Sequence, residues 1–180
     1  MIKVPGILLM FSYLSASTLT NNETGWSFEV TPSITNYYFH NIMVTEDQTV
    51  EGDGLFWNTD GYCNDNSYNC HVIGAFVMRD GIEVCVGGTY GGNDGTMIPV
   101  MGYWDTHPNY TEIGEIPYFK IYDPFEDTIS LLITEEIEGF NNDINVYDTA
   151  QAFNIVGDVN QDNSVNVMDI TILVNIILED

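Results

Sequence analysis

The sequence predicts a mainly β fold, an antiparallel β-sandwich, on three observations. Short segments from residue 26 onward alternate apolar and polar side chains, as strands with one buried face do. Clusters of Gly, Asn, Asp and Pro separate these segments, and no helical period appears among them. Hydrophobic residues make up 44% and aromatic residues 13% of the 180 residues, which is enough for a packed core.

Nine segments are candidate strands, and the turns between them favour a sandwich. Arg79-Asp80-Gly81 is a tight hairpin signal, because Asp-Gly suits a turn with left-handed backbone. The glycine-rich tract from Gly87 to Gly95 lacks the Lys-Ser/Thr of a phosphate loop and is expected to form a long hairpin loop. The predicted strands are Trp26–Val30, Tyr37–Val44, Gly54–Trp57, His71–Met78, Ile82–Gly87, Met97–Tyr103, Pro117–Tyr122, Thr128–Thr134 and Ile144–Tyr147.

Residues 1–17 have the pattern of an export signal. Lys3 precedes an apolar stretch from Val4 to Leu14, and the small residues Ser15, Ala16 and Ser17 follow. The apolar stretch is too short to span a membrane. The alternative is that residues 1–17 are retained and dock on another subunit as an apolar assembly segment.

The charge balance excludes several classes of partner. Twenty-seven acidic residues face three basic ones, Lys3, Arg79 and Lys120, which gives a formal net charge of −24. Nucleic acids and anionic membranes need clustered Lys or Arg, so neither is an expected partner. The acidic residues are scattered along the chain, which is typical of a solvated surface in which some carboxylates coordinate divalent ions.

The three cysteines predict one short disulfide. Cys63 and Cys70 flank a polar loop, which they can close in an oxidising compartment, and Cys85 is expected to be a buried free thiol. Zinc ligation by Cys70 together with His71 is the alternative, although the spacing fits no common zinc motif.

No catalytic motif is found in the sequence, and the chain is predicted not to be an enzyme. His40, His71 and His107 are far apart and belong to no Ser-centred or His-Glu-x-x-His motif. Asp105 and His107 can form an acid–imidazole pair, but a turn after Trp104 explains them as well.

Several aromatic residues are candidates for a sugar-binding face, with burial in the core as the alternative. Two Asn-x-Thr sequences, at Asn22 and Asn109, are glycosylation acceptors if the host glycosylates its exported proteins. The aromatic candidates are Trp57, Tyr62, Trp104 and Tyr110.

The segment from Asp158 to Asp169 has the spacing of a calcium-binding loop. Oxygen-bearing residues occupy loop positions one, three, five, seven, nine and twelve, which turns successive oxygens toward one hard cation. Asn163 replaces the usual glycine at position six, and Asn tolerates the left-handed backbone needed there. The predicted Ca²⁺ ligands are Asp158, Asn160, Asp162, Ser164 through its carbonyl, Asn166 and Asp169.

An apolar run after this loop predicts a helix that is apolar on nearly every side. Such a helix must be buried on several faces. One face can pack on the β-domain, and the remainder is expected to bind a partner, either another protein or another copy of this chain. One stripe contains Ile170, Leu173, Val174, Ile177 and Leu178, and the second contains Met168, Ile172 and Ile176.

Residues Gly157 to about Leu178 resemble one half of a dockerin, a calcium-dependent docking module of secreted bacterial proteins. The likeness rests on Gly-Asp-Val-Asn-x-Asp, on Asp at position twelve and on the absence of an entering helix. Dockerins normally contain two such halves, and the resemblance implies a cohesin-like receptor as partner. The two residues before Asp169 help choose that partner in dockerins, and here they are Val167 and Met168.

The hairpin Val72–Val77 with Cys85-Val86-Gly87 resembles the "IGAF" core of β-sandwich modules in bacterial surface proteins. Those modules often precede a dockerin-like tail. The resemblances divide the chain into residues 1–17, a β-sandwich over residues 18–152, and a calcium loop with a helix over residues 153–180.

Together these patterns predict a secreted, non-enzymatic extracellular or cell-surface protein. Its C-terminal module is expected to mediate protein–protein assembly, including self-assembly into filaments. The predicted partner-binding residues are Val167, Met168, Ile172 and Ile176. The alternative function is a carbohydrate-binding module that the same tail attaches to a polysaccharide-bearing surface.

Overall fold

The computed structural model describes residues 18–45, 47–54, 57, 70–134 and 136–153. These residues form β-strands joined by turns and loops. In chain order the strands are β1 Thr18–Thr20, β2 Ser27–Glu29, β3 Ile34–Met43, β4 Val72–Arg79, β5 Ile82–Tyr90, β6 Thr96–Met101, β7 Tyr118–Asp123, β8 Thr128–Ile133 and β9 Ile144–Phe153.

Strands β3 to β9 form a closed barrel in the order β3-β6-β5-β4-β7-β8-β9. Neighbouring strands are antiparallel except β3 and β9, which pair in parallel from Asn36 with Ile144 to Met43 with Gln151 and so close the ring. Strands β5 and β6 pair only at Gly87 and Val100. The separate sheet β1–β2 packs beside β5 near this narrow contact.

The mainly β prediction is confirmed, but the described strands form a barrel rather than a sandwich of two separate sheets.

Alternation of buried and exposed residues breaks in β3 at His40–Asn41, and it breaks again in β9 at Asp148–Thr149. Two consecutive residues are exposed at each place, so the face that each strand turns toward the barrel interior changes there.

Most predicted strands are present, with shifted ends. The hairpin at Arg79-Asp80-Gly81 is confirmed, with φ of 53° at Asp80 and 80° at Gly81, which suits a tight two-residue turn. Gly54 and Trp57 lie outside any strand, so the strand predicted over Gly54–Trp57 is wrong at the two of its residues that the structure describes. Strand β1 was not predicted, and β9 extends to Phe153.

The glycine-rich tract is partly strand, contrary to the expected long loop. Gly87, Gly88, Thr89 and Tyr90 belong to β5, and all four are buried. A Cβ atom at Gly87 would overlap the Pro99 carbonyl, and one at Gly88 would overlap the Trp57 ring. These glycines therefore permit close packing across the barrel.

The barrel interior is filled mainly by aromatic and branched side chains. The Tyr37 and Phe119 ring centroids are 5.2 Å apart, and those of Phe39 and Phe119 are 5.9 Å apart. Trp57 is 1% exposed and packs against Phe28, with ring centroids at 5.5 Å. Strand β2 thus covers the barrel beside β5.

In the described part of the chain, no helix is long and apolar enough to cross a membrane.

Candidate functional site

The predicted calcium ligands and partner-binding residues all lie outside the described residues, within residues 154–180. They stay predictions, as does the helix that follows them. Among the residues that the structure does describe, no group of three or more His, Cys, Asp or Glu side chains could hold a metal ion. The structure does show where residues 154–180 join the barrel, at the end of β9, and which side chains surround that point.

The two chain extensions leave from opposite ends of the barrel. Thr18 pairs with Glu29, whose amide donates to the Tyr110 hydroxyl in the loop after β6, at the end where β3 begins. Strand β9 instead finishes beside the end of β3, because Gln151 pairs with Met43. Residues 1–17 and 154–180 therefore attach at opposite ends.

An exposed apolar surface lies beside the departure of the C-terminal segment. Ile133 on β8 is 49% exposed, and Val146 and Phe153 on β9 are 59% and 44% exposed. We call these three residues the β8–β9 surface. They line an open hollow of about 640 Å³, together with Glu136 and Asp148.

The four sugar-face candidates have different environments. Trp57 is in the core, and Tyr110 is buried with its hydroxyl accepting the Glu29 amide hydrogen at 2.7 Å. Burial raises the pKa of the Tyr110 hydroxyl. Tyr62 lies outside the described residues. Only Trp104, at 46% exposure, is available on the described surface, and the neighbouring Tyr103 is 50% exposed.

Trp104 borders a shallow hollow of about 350 Å³ at the end of the barrel where β3 begins. Ser33 and Asn142 line the same hollow, and their side chains are hydrogen bonded at 2.7 Å. An aromatic ring beside hydroxyl and amide groups has the composition of a sugar-contacting surface. The sequence named Trp104 as a candidate but not the equally exposed Tyr103, because exposure depends on the tertiary fold.

His71 and His107 contact different partners and do not form a common site. Trp104 and His107 are joined by reciprocal backbone hydrogen bonds. They therefore form a turn, which was the alternative to an acid–imidazole pair of Asp105 and His107. The His107 Nε2 atom contacts Glu29 Oε2 at 2.8 Å, so the carboxylate beside it comes from β2 rather than from Asp105. His71 is fully buried, and its Nδ1 accepts the Glu51 amide hydrogen at 3.0 Å.

Both basic side chains of the described residues are in ion pairs. Arg79 makes two hydrogen bonds of 2.6 Å to the Glu115 carboxylate, which lower the pKa of that carboxyl. Lys120 lies 2.6 Å from Glu83. With these partners in place, neither cation is positioned to receive a phosphate or another anionic ligand.

The cysteines have two different states. Cys85 is a free thiol, and burial raises its pKa to about 12, so it stays protonated and unreactive at neutral pH. Cys70 is buried and disulfide-bonded. Cys63 lies outside the described residues, and its pairing with Cys70 stays a prediction. Zinc ligation by Cys70 is excluded by its disulfide.

The chain matches no protein-family model, no curated protein and no solved structure.

Proposed function

We propose that this protein is a non-enzymatic extracellular or cell-surface protein that assembles with other proteins through a calcium-binding C-terminal segment. The ligand spacing from Asp158 to Asp169 carries the proposal. Its attachment supports it further, because the segment continues directly from β9 beside the β8–β9 surface. Calcium orders the segment by neutralising carboxylates that otherwise repel one another.

Self-assembly is the form of association that the arrangement of the chain ends favours. Segments that leave at opposite ends of a barrel can make different contacts with the preceding and the following subunit. Contacts between different patches generate an open polymer rather than a closed dimer. A cohesin-like receptor is the competing partner, and it would engage Val167, Met168, Ile172 and Ile176.

A strand-addition route to filaments is restricted by the fold. Strands β3 to β9 form a closed ring in which each strand has a hydrogen-bonded neighbour on both sides, although β5 and β6 pair only at Gly87 and Val100. The short sheet β1–β2 is the place for an incoming strand, and residues 1–17 lead directly into β1. If residues 1–17 are retained, they pair at a neighbour's β1–β2 sheet.

A calorimetric calcium titration tests the metal site. The wild-type chain is expected to bind calcium at millimolar ion or below, whereas Asp158→Ala and Asp169→Ala abolish binding. Asp105→Ala is the matched control, because it removes one exposed carboxylate at the other end of the barrel and leaves binding intact. A wild-type chain that binds no millimolar calcium would contradict the proposal.

Carbohydrate binding is the second candidate function, and the exposed pair Tyr103 and Trp104 favours it. We expect Trp104→Ala to abolish retention on whichever insoluble polysaccharide the wild type binds, because the ring supplies the apolar platform for a sugar. Phe125→Ala is the control, since Phe125 is a 52% exposed aromatic residue elsewhere on the surface. Equal losses in both variants, or no retention of the wild type, would exclude this function.

A further inference from the structure

We propose that the first half of β9 is an open strand edge, to which a partner protein adds an extended segment that carries Lys or Arg beside apolar residues. The site is the hollow where β8 separates from β9. It belongs to the barrel and requires no calcium, so the inference goes beyond the proposed function and can fail independently of it. The site is also separate from the β1–β2 sheet.

Strand β9 has two neighbours, and they accompany different parts of it. Strand β3 pairs with it from Ile144 to Gln151, whereas β8 pairs with it only from Gln151 to Phe153. Among the described residues, β3 is therefore the only strand partner of residues 144–150. The other side of that stretch is an edge of the kind that accepts a strand from another chain.

The backbone of this stretch faces the open side at every second residue. At the start of the pair with β3, the Asn36 amide donates to the Asp143 carbonyl at 2.9 Å. Because the backbone groups of successive strand residues point to alternate sides, those of Ile144 and Val146 point away from β3. The Ile144 amide donates to the Asp143 side chain at 2.9 Å, which agrees with this direction. Val146 therefore presents its N–H and C=O to an incoming strand.

The chain that follows β8 is held elsewhere, which leaves a hollow beside this edge. The Glu138 amide donates to the Tyr147 hydroxyl at 2.8 Å, and the Glu138 carbonyl accepts the Tyr37 hydroxyl at 2.9 Å. Further on, the Phe140 amide donates to the Glu115 carbonyl at 2.8 Å. These bonds direct the described part of the segment toward the loop before β7 rather than along β9. The open hollow that results measures about 640 Å³.

The side chains around the edge define the chemistry of the partner. The β8–β9 surface, Ile133, Val146 and Phe153, is 44–59% exposed and lines the hollow together with Glu136 and Asp148. Large apolar side chains grouped in one concave surface are typical of a binding site. In an added strand, main-chain hydrogen bonds supply affinity and alternate side chains supply specificity. Here the apolar residues favour apolar side chains in the added strand, and the two carboxylates favour Lys or Arg.

A second copy of this chain does not complement the hollow in charge. The chain has three basic residues against 27 acidic ones, and Arg79 and Lys120 are already paired with Glu115 and Glu83. A second copy would therefore bring further carboxylates to the two that line the hollow. A different protein with unpaired basic side chains has the complementary charge.

Peptide binding tests the position of the site. The probe is a labelled peptide of alternating valine and lysine, followed by fluorescence anisotropy in chelator at physiological ionic strength. We expect Val146→Ser to weaken binding roughly tenfold, because it removes an apolar contact at the edge. Ile82→Ser is the matched control, since Ile82 is a 68% exposed residue of β5. Asp148→Asn should weaken binding about threefold, whereas Asp105→Asn should not.

Methylation of the peptide amides distinguishes strand addition from contact through side chains alone. N-methyl groups on the valines block the hydrogen bonds of one peptide edge, and N-methyl groups on the lysines block those of the other. We expect one methylated peptide to bind as the parent does and the other to bind roughly tenfold more weakly, because an added strand uses one edge. Equal affinities of the two methylated peptides would overturn strand addition.

Other results would also overturn the proposal. A peptide of alternating valine and glutamate that binds as tightly would contradict the charge argument. Equal losses in Val146→Ser and Ile82→Ser, or no binding by the wild type, would exclude the β9 edge. A wild-type protein that dimerises in chelator and loses peptide affinity as it does so would identify a second copy as the occupant. None of these results bears on calcium binding, which calorimetry tests separately.

Discussion

The buried residue His71 is expected to make the stability of the protein depend on pH. Its ring is fully buried, its Nδ1 accepts a backbone hydrogen bond, and its Nε2 lies 3.7 Å from the Asp123 carboxylate. Burial lowers the pKa of His71 and outweighs the opposing influence of Asp123. The folded protein therefore holds this imidazole neutral at pH values where the unfolded chain protonates it.

Stability should consequently fall as the pH drops below about 6.5, since the unfolded state then binds more protons than the folded state. The contribution of His71 is at most about 1.4 kcal/mol per pH unit, and it ends at the folded pKa. We expect His71→Asn to show a shallower decrease between pH 7.5 and 5.5, measured by urea unfolding. A decrease equal to that of the wild type would contradict this assignment.

Gly88 permits the close approach of Trp57 to β5. A Cβ atom there would overlap the indole, so Gly88→Ala should lower the free energy of unfolding by about 1–3 kcal/mol. Ile82→Ala on the same strand is the control, because Ile82 is 68% exposed and should change stability little. Similar urea midpoints for the two variants would show that the packing is looser than described.

Residue environments were the least predictable part of the molecule. Trp57 and Trp104 are both followed by polar residues in turn-rich sequence, yet one fills the core and the other borders a surface hollow. Their exposure is decided by residues far away in the chain. The sequence could therefore propose aromatic candidates for a sugar face but could not select among them.

At the scale of elements, Thr35 joins the start of β3 to the loop before β9. Its buried hydroxyl accepts the backbone hydrogens of Asn141 at 2.9 Å and Asn142 at 2.7 Å. Asn142 has a φ of 60°, so this loop holds a non-glycine residue in left-handed backbone. The hydroxyl therefore fixes the register of the parallel β3–β9 pair that closes the barrel.

We expect Thr35→Val to destabilise the protein by about 1–2 kcal/mol, because it leaves two partly buried amide hydrogens without their acceptor. Thr35→Ser keeps the hydroxyl and should lose less. Hydrogen exchange provides the local measurement, in which the amides of Asn141 and Asn142 exchange faster in the Val variant alone. Unchanged protection of both amides would contradict the role of Thr35.

Strand positions were predictable because they follow from local alternation and turn chemistry, as the Arg79–Gly81 hairpin shows. The closure of the barrel was not predictable, because it depends on the parallel pairing of β3 with β9, which lies more than a hundred residues later in the chain. The two consecutive polar residues at His40–Asn41 and at Asp148–Thr149 were a visible signal of strands that change the face they turn inward. The calcium loop, by contrast, is a purely local pattern, and the described residues do not test it.

On the scale of the whole molecule, charge and connectivity act together. A net charge of −24 keeps copies of the chain apart in the absence of divalent ions. We propose that calcium, bound at the loop from Asp158 to Asp169, reduces that repulsion. Because Thr18 and Phe153 lie at opposite ends of the barrel, association through the segments that they lead to would be directional.

Particle mass by multi-angle light scattering, in calcium and in chelator, tests the central claim most directly. We predict assemblies of several chains in calcium that return to single-chain mass on chelation, with Asp158→Ala at single-chain mass under both conditions. Asp105→Ala, which removes an exposed carboxylate at the other end of the barrel, should behave as the wild type does. A wild-type protein at single-chain mass at high concentration in calcium, or assemblies unaffected by chelator, would contradict calcium-dependent self-assembly.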